Sequence, residues 1–422
     1  MEMTRVQLAQ GVNLTYLPAR KFKTSLLSAQ FVTPLRQETA GANALLAAVL
    51  RRGTVSCPDM GALFARMDNL YDASIDYTVR KKGENQCVGF VASFIDDRYA
   101  PGGEHLLEPV AELLGELVCD PVTYHGRFVP EYFDSEKSNL LEAIRSIIND
   151  KRDWADSRLL RTLCAGEPYA VPRLGDEETV DKLQALRVYD QYRQLISTAP
   201  LEIIYSGSAD LERVRLALAA AFATLPREEV RMISAAVPHV GRETVQYVED
   251  ALDVTQGKLG MGFSCGSSDM PALLMGNTLF GGSSNSKLFL NVREKLSLCY
   301  YASSLYHRQK GLITVSSGIE FQNYQRAYDE IMAQLEAVQK GELEDWELEG
   351  ARSTLLNSYA TVGDSQGKLE NFYLGQAATG QTETPEALAR AIETMTADRI
   401  CQAMETVRLD TVYFLKGKEV EA

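Results

Sequence analysis

Residues 201–207 read LEIIYSG, and residues 411–417 read TVYFLKG. Each is a short apolar run that ends in glycine, which is typical of a buried strand followed by a turn. Each also follows a segment, 181–197 and 397–408, in which apolar residues recur at three- and four-residue spacing. That spacing predicts an amphipathic helix before each strand. A helix–strand pair near the middle of the chain that recurs at its end indicates an internal repeat of a whole domain.

The beginnings of the two halves agree with this repeat. Each half is predicted to contain an apolar strand followed by a helix, and then a hairpin followed by a long helix. In the first half these segments are 25–32, 41–52, 74–79 with 86–95, and 105–119; in the second half they are 258–265, 270–279, 300–306 with 312–319, and 323–340. Strands in hairpins, mixed with helices, favour an α+β fold over a doubly wound parallel sheet.

We therefore expect two similar domains, each a mainly antiparallel sheet with helices packed on one face. The segment 227–242 is charged, contains proline and glycine, and lacks periodicity, so it is the predicted linker. The expected boundaries are a first domain at 1–226 and a second at 243–422.

Composition excludes several classes of function. The net charge of the 422 residues is −14, which argues against binding to nucleic acid because phosphate recognition needs a basic surface. The 7 cysteines are scattered and odd in number, which indicates free thiols in a reducing compartment. Residues 1–5 lack the apolar core of a signal peptide, and no run of about 18 apolar residues predicts a membrane span. The expected location is the cytoplasm.

The helix predicted at 41–52 ends at Gly53-Thr54, and this arrangement resembles the pitrilysin/insulinase family of zinc peptidases, in its bacterial processing-protease-like branch. In that family the helix carries H-x-x-E-H, and Gly-Thr follows. The two histidines bind zinc from one helix face, and the glutamate activates the metal-bound water. On this sequence the resemblance places the histidines at Ala44 and Ala48 and the glutamate at Ala47.

The third zinc ligand of the family is a glutamate on a later helix, and the matching position here is Ala143. Glu142 lies one place earlier, about 100° around a helix, and should point elsewhere. Alanine neither binds metal nor moves a proton, so the resemblance implies no metal, no cofactor and no catalysis by this chain alone. The 4 histidines lie too far apart in the sequence to suggest a replacement site.

Two further segments carry the resemblance. Residues 167–175, EPYAVPRLG, are similar to a turn that follows the ligand helix of the family. Residues 280–289 and 292–300, FGGSSNSKLF and VREKLSLCY, are similar to the family's substrate-binding segment. In active members an arginine and a tyrosine of that segment contact peptide, and they correspond to Arg293 and Tyr300. A guanidinium suits peptide carbonyls or a carboxylate, and a phenol can donate to a carbonyl oxygen.

The resemblance implies a half-clamshell subunit that binds peptide for a zinc-bearing paralogue of the H-x-x-E-H type. Subunits of this kind are associated with modification of elongation factor P or with peptide maturation, and the sequence does not choose between them. Self-association as a homodimer is left open. Two alternatives also stay open: a purely structural module of a larger complex, and a self-sufficient hydrolase with a different site.

Overall fold

The computed structural model describes residues 3–418; the first two residues of the N-terminal stretch discussed above lie outside this range. The strands are β1 (Thr4–Ala9), β2 (Val12–Pro18), β3 (Thr24–Pro34), β4 (Ser74–Lys82), β5 (Asn85–Ile95), β6 (Thr123–Tyr124), β7 (Arg127–Phe128), β8 (Leu201–Gly207), β9 (Gln246–Leu252), β10 (Gly257–Cys265), β11 (Cys299–His307), β12 (Leu312–Ile319) and β13 (Val407–Gly417). The α-helices are α1 (Gln37–Leu50), α2 (Met60–Asp68), α3 (Leu107–Cys119), α4 (Pro130–Ser146), α5 (Lys151–Leu163), α6 (Glu177–Asp181), α7 (Ala185–Thr198), α8 (Leu211–Ala221), α9 (Met270–Phe280), α10 (Tyr324–Gln339), α11 (Asp345–Ala360), α12 (Gln366–Thr379), α13 (Pro385–Glu393) and α14 (Ala397–Met404).

The chain forms two compact units. The first contains residues up to 145 together with 171–235 and 363–382, and the second contains 146–170, 236–362 and the residues from 383 onward. Each unit is built around one main sheet with helices, so the predicted α+β class with two mainly antiparallel sheets is confirmed.

The sheet of the first unit has six strands in the order β1-β2-β8-β3-β5-β4. Only β2 and β8 run parallel among these neighbours. Alternate residues of β3 and β5, such as Ala29 and Phe90, face a large apolar core that also contains residues of α1, α3 and α8. Helices α3 and α8 approach closely because Gly115 has no side chain: a Cβ there would lie 2.2 Å from the carbonyl oxygen of Ala221. The two helices of this layer therefore pack main chain against main chain at this point.

The sheet of the second unit has five strands in the order β11-β12-β10-β13-β9, with β13 and β9 parallel. Its main core joins one face of β10, including Met261 and Phe263, to helices α9, α10 and α14. A π-helix, Leu288–Lys295, precedes β11. Over the described part of the chain, no helix combines the length and apolarity needed to cross a bilayer.

Each unit contains one segment from the opposite half of the sequence. Residues 146–170, which include α5, belong to the second unit, and residues 363–382, which include α12, belong to the first. The predicted boundaries at 226 and 243 placed both segments in the other domain. The predicted linker, 227–242, forms neither helix nor strand, and all of its residues are described.

These two helices lie on the sheet face opposite the main core, so each sheet carries a helix beyond the single helical layer that was expected. The glycines of β10 make room for α5: a Cβ at Gly260 or Gly262 would lie 3.2 or 2.7 Å from the side chains of Leu159 or Leu163. Helix α12 makes polar contacts with its sheet, such as the Gln366 amide, which donates to the carbonyl oxygen of Ser206 at 2.7 Å. The second face of each sheet carries glycine or polar residues, and a helix from the other half of the sequence covers it. The predicted boundaries differ from the observed units for this reason.

Candidate functional site

A cavity of about 750 Å³ in the first unit contains three of the four alanines that correspond to zinc-site residues. Ala44 and Ala48 line it from α1, and Ala143 lines it from α4. Ala47 is buried in the apolar core instead, with 1% of its surface exposed. The structure therefore brings together the three positions that the resemblance assigns to metal ligands, although Ala143 is far from the other two in sequence.

The positions of these alanines follow from helix geometry. Ala44 and Ala48 are four residues apart, so they lie on the same face of α1, one turn from each other. Helix α1 is buried along nearly its whole length, and alanine and leucine favour helix at such positions. Helix α4 is largely polar, and it contributes Leu140 and Ala143 to the wall of the cavity. The floor is thus apolar where an active enzyme would have imidazoles and a carboxylate.

The residues around this cavity do not fit a zinc ion. Zinc in proteins needs three or four nitrogen, sulfur or oxygen ligands. Among the lining residues that the structure describes, Glu136 is the one carboxylate, and it already forms an ion pair with Arg52. Glu142 is exposed and is not part of the wall, as its position on the helix predicted. We therefore assign no metal-dependent step to this site.

The rim of the cavity is formed by β4, the outermost strand of the first sheet. Residues 77–82 of β4 line it, and the outer edge of that strand has no strand partner in the described chain. Because side chains alternate across a strand, the rim residues are shared between the two faces of the sheet. Burial raises the pKa of the Tyr77 phenol, and the Glu136 carboxylate raises it further, so this phenol remains a hydrogen-bond donor at neutral pH.

Four cations lie in the lining: Arg80, Lys81, Lys82 and Arg173. Arg80 holds the carboxylate of Glu370 on α12 through two hydrogen bonds of 2.6 and 2.7 Å. Burial lowers the pKa of Arg80, but the Glu370 carboxylate more than offsets it, and the pKa lies above its usual value. This guanidinium is therefore fixed and its charge is neutralised.

Arg173 has a different environment. Its Nη1 donates to the main-chain carbonyl oxygen of Val79 at 3.2 Å, on β4. That carbonyl consequently points away from β5, toward the outer edge of the sheet. The acceptor of the Arg173 guanidinium is thus a neutral carbonyl, and Arg173 is exposed to solvent. The Arg173 guanidinium thus lies beside the free edge of β4, with its charge facing the cavity.

Arg293 and Tyr300, the predicted substrate-binding residues, lie in the second unit. Arg293 is in the π-helix, with its guanidinium 4.7 Å from the ring centre of Phe289 and 3.6 Å from the carboxylate of Glu294. Tyr300 is the second residue of β11, it is 53% exposed, and its hydroxyl donates to the Glu320 carboxylate. That hydrogen bond raises the pKa of Tyr300. Both side chains are accessible and held by a neighbour.

The sequence analysis missed a group of possible metal ligands in the second unit. Cys164, Glu167 and His239 bring one ligand atom each to within 4.8 Å of the others. The Glu167 carboxylate, however, is bound by His239 and by the fully buried Lys310. We therefore interpret this group as part of an internal ionic network. It continues from His239 to Asp410, whose second oxygen binds Arg242.

The cationic rim was also missed. Its signal in the sequence is the run Arg80-Lys81-Lys82, which follows the predicted hairpin strand 74–79 and was given no role. The contribution of Arg173 could not be found in this way, because it comes from the segment after α5 and meets β4 only in the folded chain.

Comparison with known proteins agrees with this description. Residues 182–355 match the model of the peptidase M16 inactive domain. The chain is 35% identical over 416 residues to a probable inactive metalloprotease, YmfF, of Bacillus subtilis, covering 97% of this chain and 96% of that protein.

Solved structures share the fold over the full length. A conserved protein from Enterococcus faecalis superposes with a TM-score of 0.90 at 27% identity, and the match covers 100% of both chains. A peptidase M16 inactive domain from Pseudomonas fluorescens gives a TM-score of 0.81 at 16% identity, again over 100% of both chains. The resemblance to the pitrilysin/insulinase peptidases is thereby confirmed, and the chain belongs to the peptidase M16 family as an inactive metalloprotease homologue.

Proposed function

We propose that this protein is the non-catalytic subunit of a heteromeric peptidase, and that it holds an extended peptide for a zinc-bearing paralogous partner. The observation that carries the proposal is the cavity beside the free edge of β4, where alanines stand in place of the zinc ligands. The site keeps room for a peptide but lacks the groups that would cut it.

The edge of β4 supports peptide binding by strand addition. An unpaired strand edge offers main-chain donors and acceptors in a regular row, and an extended peptide can pair with them. Along β4 the Val79 carbonyl faces outward. Tyr77 and Lys81 are two residues away on either side, so their main-chain groups face outward as well. The apolar floor at Ala44 and Ala48 then receives a side chain of the bound peptide.

Arg293 and Tyr300 supply the second set of contacts in this proposal. The Arg293 guanidinium is a rigid fork of donors that suits peptide carbonyls or a carboxylate. The Tyr300 hydroxyl is exposed near the start of β11, and on binding it exchanges its Glu320 acceptor for a peptide carbonyl. In a complex with the zinc-bearing partner, these groups orient the peptide and donate to its carbonyls, while the partner provides the metal and the general base.

The test is reconstitution. The chain is purified alone, mixed with a zinc-bearing M16 paralogue from the same organism, and assayed for cleavage of a quenched fluorescent peptide library. We expect cleavage by the mixture that neither chain shows alone. Arg293→Ala and Tyr300→Phe should lower the activity of the mixture by at least tenfold, a loss of about 1.4 kcal/mol of transition-state stabilisation.

Lys295→Ala is the matched control, because Lys295 is exposed in the same π-helix two residues from Arg293. It should leave the activity of the mixture unchanged. Full activity with Arg293→Ala would instead favour a purely structural module. Cleavage by the chain alone would favour a self-sufficient hydrolase.

A further inference from the structure

The charge around the cavity of the first unit opposes the charge of the whole chain. The net charge of the protein is −14, yet the cavity wall contains four cations and one carboxylate. Each of two wall residues is neutralised by an ion-pair partner behind the wall: Arg80 by Glu370, and Glu136 by Arg52. The wall itself thus contains more cations than carboxylates. The site that holds a metal cation in active relatives is therefore suited here to an anion.

The strongest position for that anion is beside Arg173. Its guanidinium has a neutral carbonyl as hydrogen-bond acceptor, and it lies against the outward edge of β4. Lys81 also lines the cavity, and its side chain is on the same face of β4 as that of Val79 because the two residues are two positions apart. A group placed at the edge of β4 thus meets positive charge beside the main-chain hydrogen bonds of the strand.

A peptide that pairs with β4 must displace Arg173 from the Val79 carbonyl, since an incoming N–H group would use the same acceptor. A neutral peptide leaves the displaced guanidinium with water alone. A peptide that carries a carboxylate near this point gives it a charged acceptor, and bidentate arginine–carboxylate pairs are among the stronger hydrogen-bonded contacts in proteins. Binding of a carboxylate therefore offsets the cost of opening the strand edge.

We propose that this cavity selects peptides that carry a carboxylate, either an acidic side chain or the C-terminal carboxylate, and that Arg173 recognises it at the edge of β4. The proposal rests on the proposed function, because it specifies the class of peptide that the subunit holds. An adjacent apolar side chain of the same peptide occupies the floor formed by Ala44 and Ala48. The occupant is thus an acidic peptide in extended conformation.

The experiment compares three dye-labelled peptides of alternating valine and threonine. The first has one central glutamate and an amidated C-terminus; the second has glutamine in its place and is amidated; the third has glutamine and a free C-terminal carboxylate. Binding to the full chain is measured by fluorescence anisotropy. We expect the first or the third peptide to bind about tenfold tighter than the second, in line with a charge-assisted contact. Which of the two does so identifies the source of the carboxylate.

Variants locate the contact. Arg173→Gln should abolish the preference and leave binding of the neutral peptide unchanged or improved. Arg187→Gln, at an exposed position of α7 that is not in the cavity wall, should keep the full preference. Ala48→Leu places a larger side chain on the floor and should weaken all three peptides. Circular dichroism and thermal unfolding establish that each variant is folded.

The possible results separate the two proposals. Equal binding of all three peptides would overturn the selection of a carboxylate while supporting the peptide-holding role. A preference that survives in Arg173→Gln would also overturn it. Failure of every peptide to bind would count against the peptide-holding role itself.

Discussion

The guanidinium of Arg80 and the carboxylate of Glu370, which lie 290 positions apart in the chain, are joined by two hydrogen bonds of 2.6 and 2.7 Å within the first unit. Glu370 is almost completely buried, and the hydroxyl of Ser28 donates to the same carboxylate at 2.7 Å. This contact attaches α12 to the sheet that carries the cavity.

Replacing Glu370 should therefore destabilise the first unit. Glu370→Gln leaves the Arg80 charge without its carboxylate, and breaking a buried ion pair on one side costs roughly 3–5 kcal/mol. We expect the free energy of unfolding to fall by about 3 kcal/mol, the lower end of this range, because Arg80 keeps some exposure to solvent. Urea denaturation followed by circular dichroism measures it. Asp364→Asn is the control: its pair with Lys21 is exposed on both sides, so the substitution should leave the stability nearly unchanged. Equal losses would contradict this account.

The ionic network of the second unit predicts a loss of stability in acid. Burial raises the pKa of the Asp410 carboxyl, but hydrogen bonds from Thr411 and from the main chain and guanidinium of Arg242 outweigh it, so the pKa lies below its usual value. A carboxyl with a lowered folded-state pKa stabilises the protein above its unfolded-state pKa of about 3.9, and this contribution is lost as the pH falls through the folded-state value.

We therefore expect the unfolding free energy to fall from about pH 5 toward pH 3. Asp410→Asn should reduce that slope, and it should lower stability at pH 7. Denaturant unfolding at each pH measures both quantities. If the unfolding free energy of Asp410→Asn falls with pH as steeply as that of the parent protein, the network does not cause the loss of stability in acid.

The close approach of α3 and α8 predicts how adding one methyl group at Gly115 changes the stability of the protein. Gly115→Ala would place a Cβ 2.2 Å from the carbonyl oxygen of Ala221, and a main-chain atom cannot move aside as a flexible side chain can. We expect a loss of about 1–3 kcal/mol, typical of overpacking. Gly350→Ala on α11 meets nothing closer than 3.6 Å and should be neutral or stabilising by about 0.5–1 kcal/mol. Thermal unfolding compares the two, and a stabilised Gly115→Ala protein would refute the predicted clash.

The donor set of the cavity predicts the response to zinc. Since ligand binding to the folded state raises its melting temperature, a chain without a zinc site should melt at the same temperature with and without a chelator. The triple variant Ala44→His, Ala48→His, Ala143→Glu supplies three ligands and should gain zinc-dependent stabilisation. Metal content after dialysis and melting temperature measure both. Stoichiometric zinc retained by the native chain would contradict the assignment of an inactive site.

Much of the fold could be predicted from local pattern. The strand at 201–207 is β8, the hairpin strands are β4 with β5 and β11 with β12, and the helix ending before Gly53 is α1. These elements have strong periodicity, and their core faces follow from it. The exchange of α5 and α12 between units could not be predicted in the same way. An apolar face such as that of Ala155, Leu159 and Leu163 specifies that a helix is buried, but it does not specify which sheet buries it.

The candidate site likewise has one part that could be predicted from the sequence and one that could not. The positions Ala44, Ala48 and Ala143 were implied by the resemblance to the zinc peptidases, and the structure places them around one cavity. The cationic rim depends on Arg173, which reaches β4 from a separate segment, so no local pattern could reveal it. Contacts that join distant segments are set by tertiary packing, and a single sequence does not record them directly.

The position of α12 has a consequence for how the protein is made. A ribosome releases the chain from its N-terminus, and domains generally fold as units during synthesis. The sheet built from β1 to β8 is complete in sequence after Gly207, but the helix that covers its second face extends to Thr379. During most of translation that face remains exposed to water, although its serine and glutamine side chains are buried in the folded protein. The first unit therefore cannot complete its packing until nearly the entire chain has been synthesised. Neither half of the sequence, produced separately, contains all the segments of one unit.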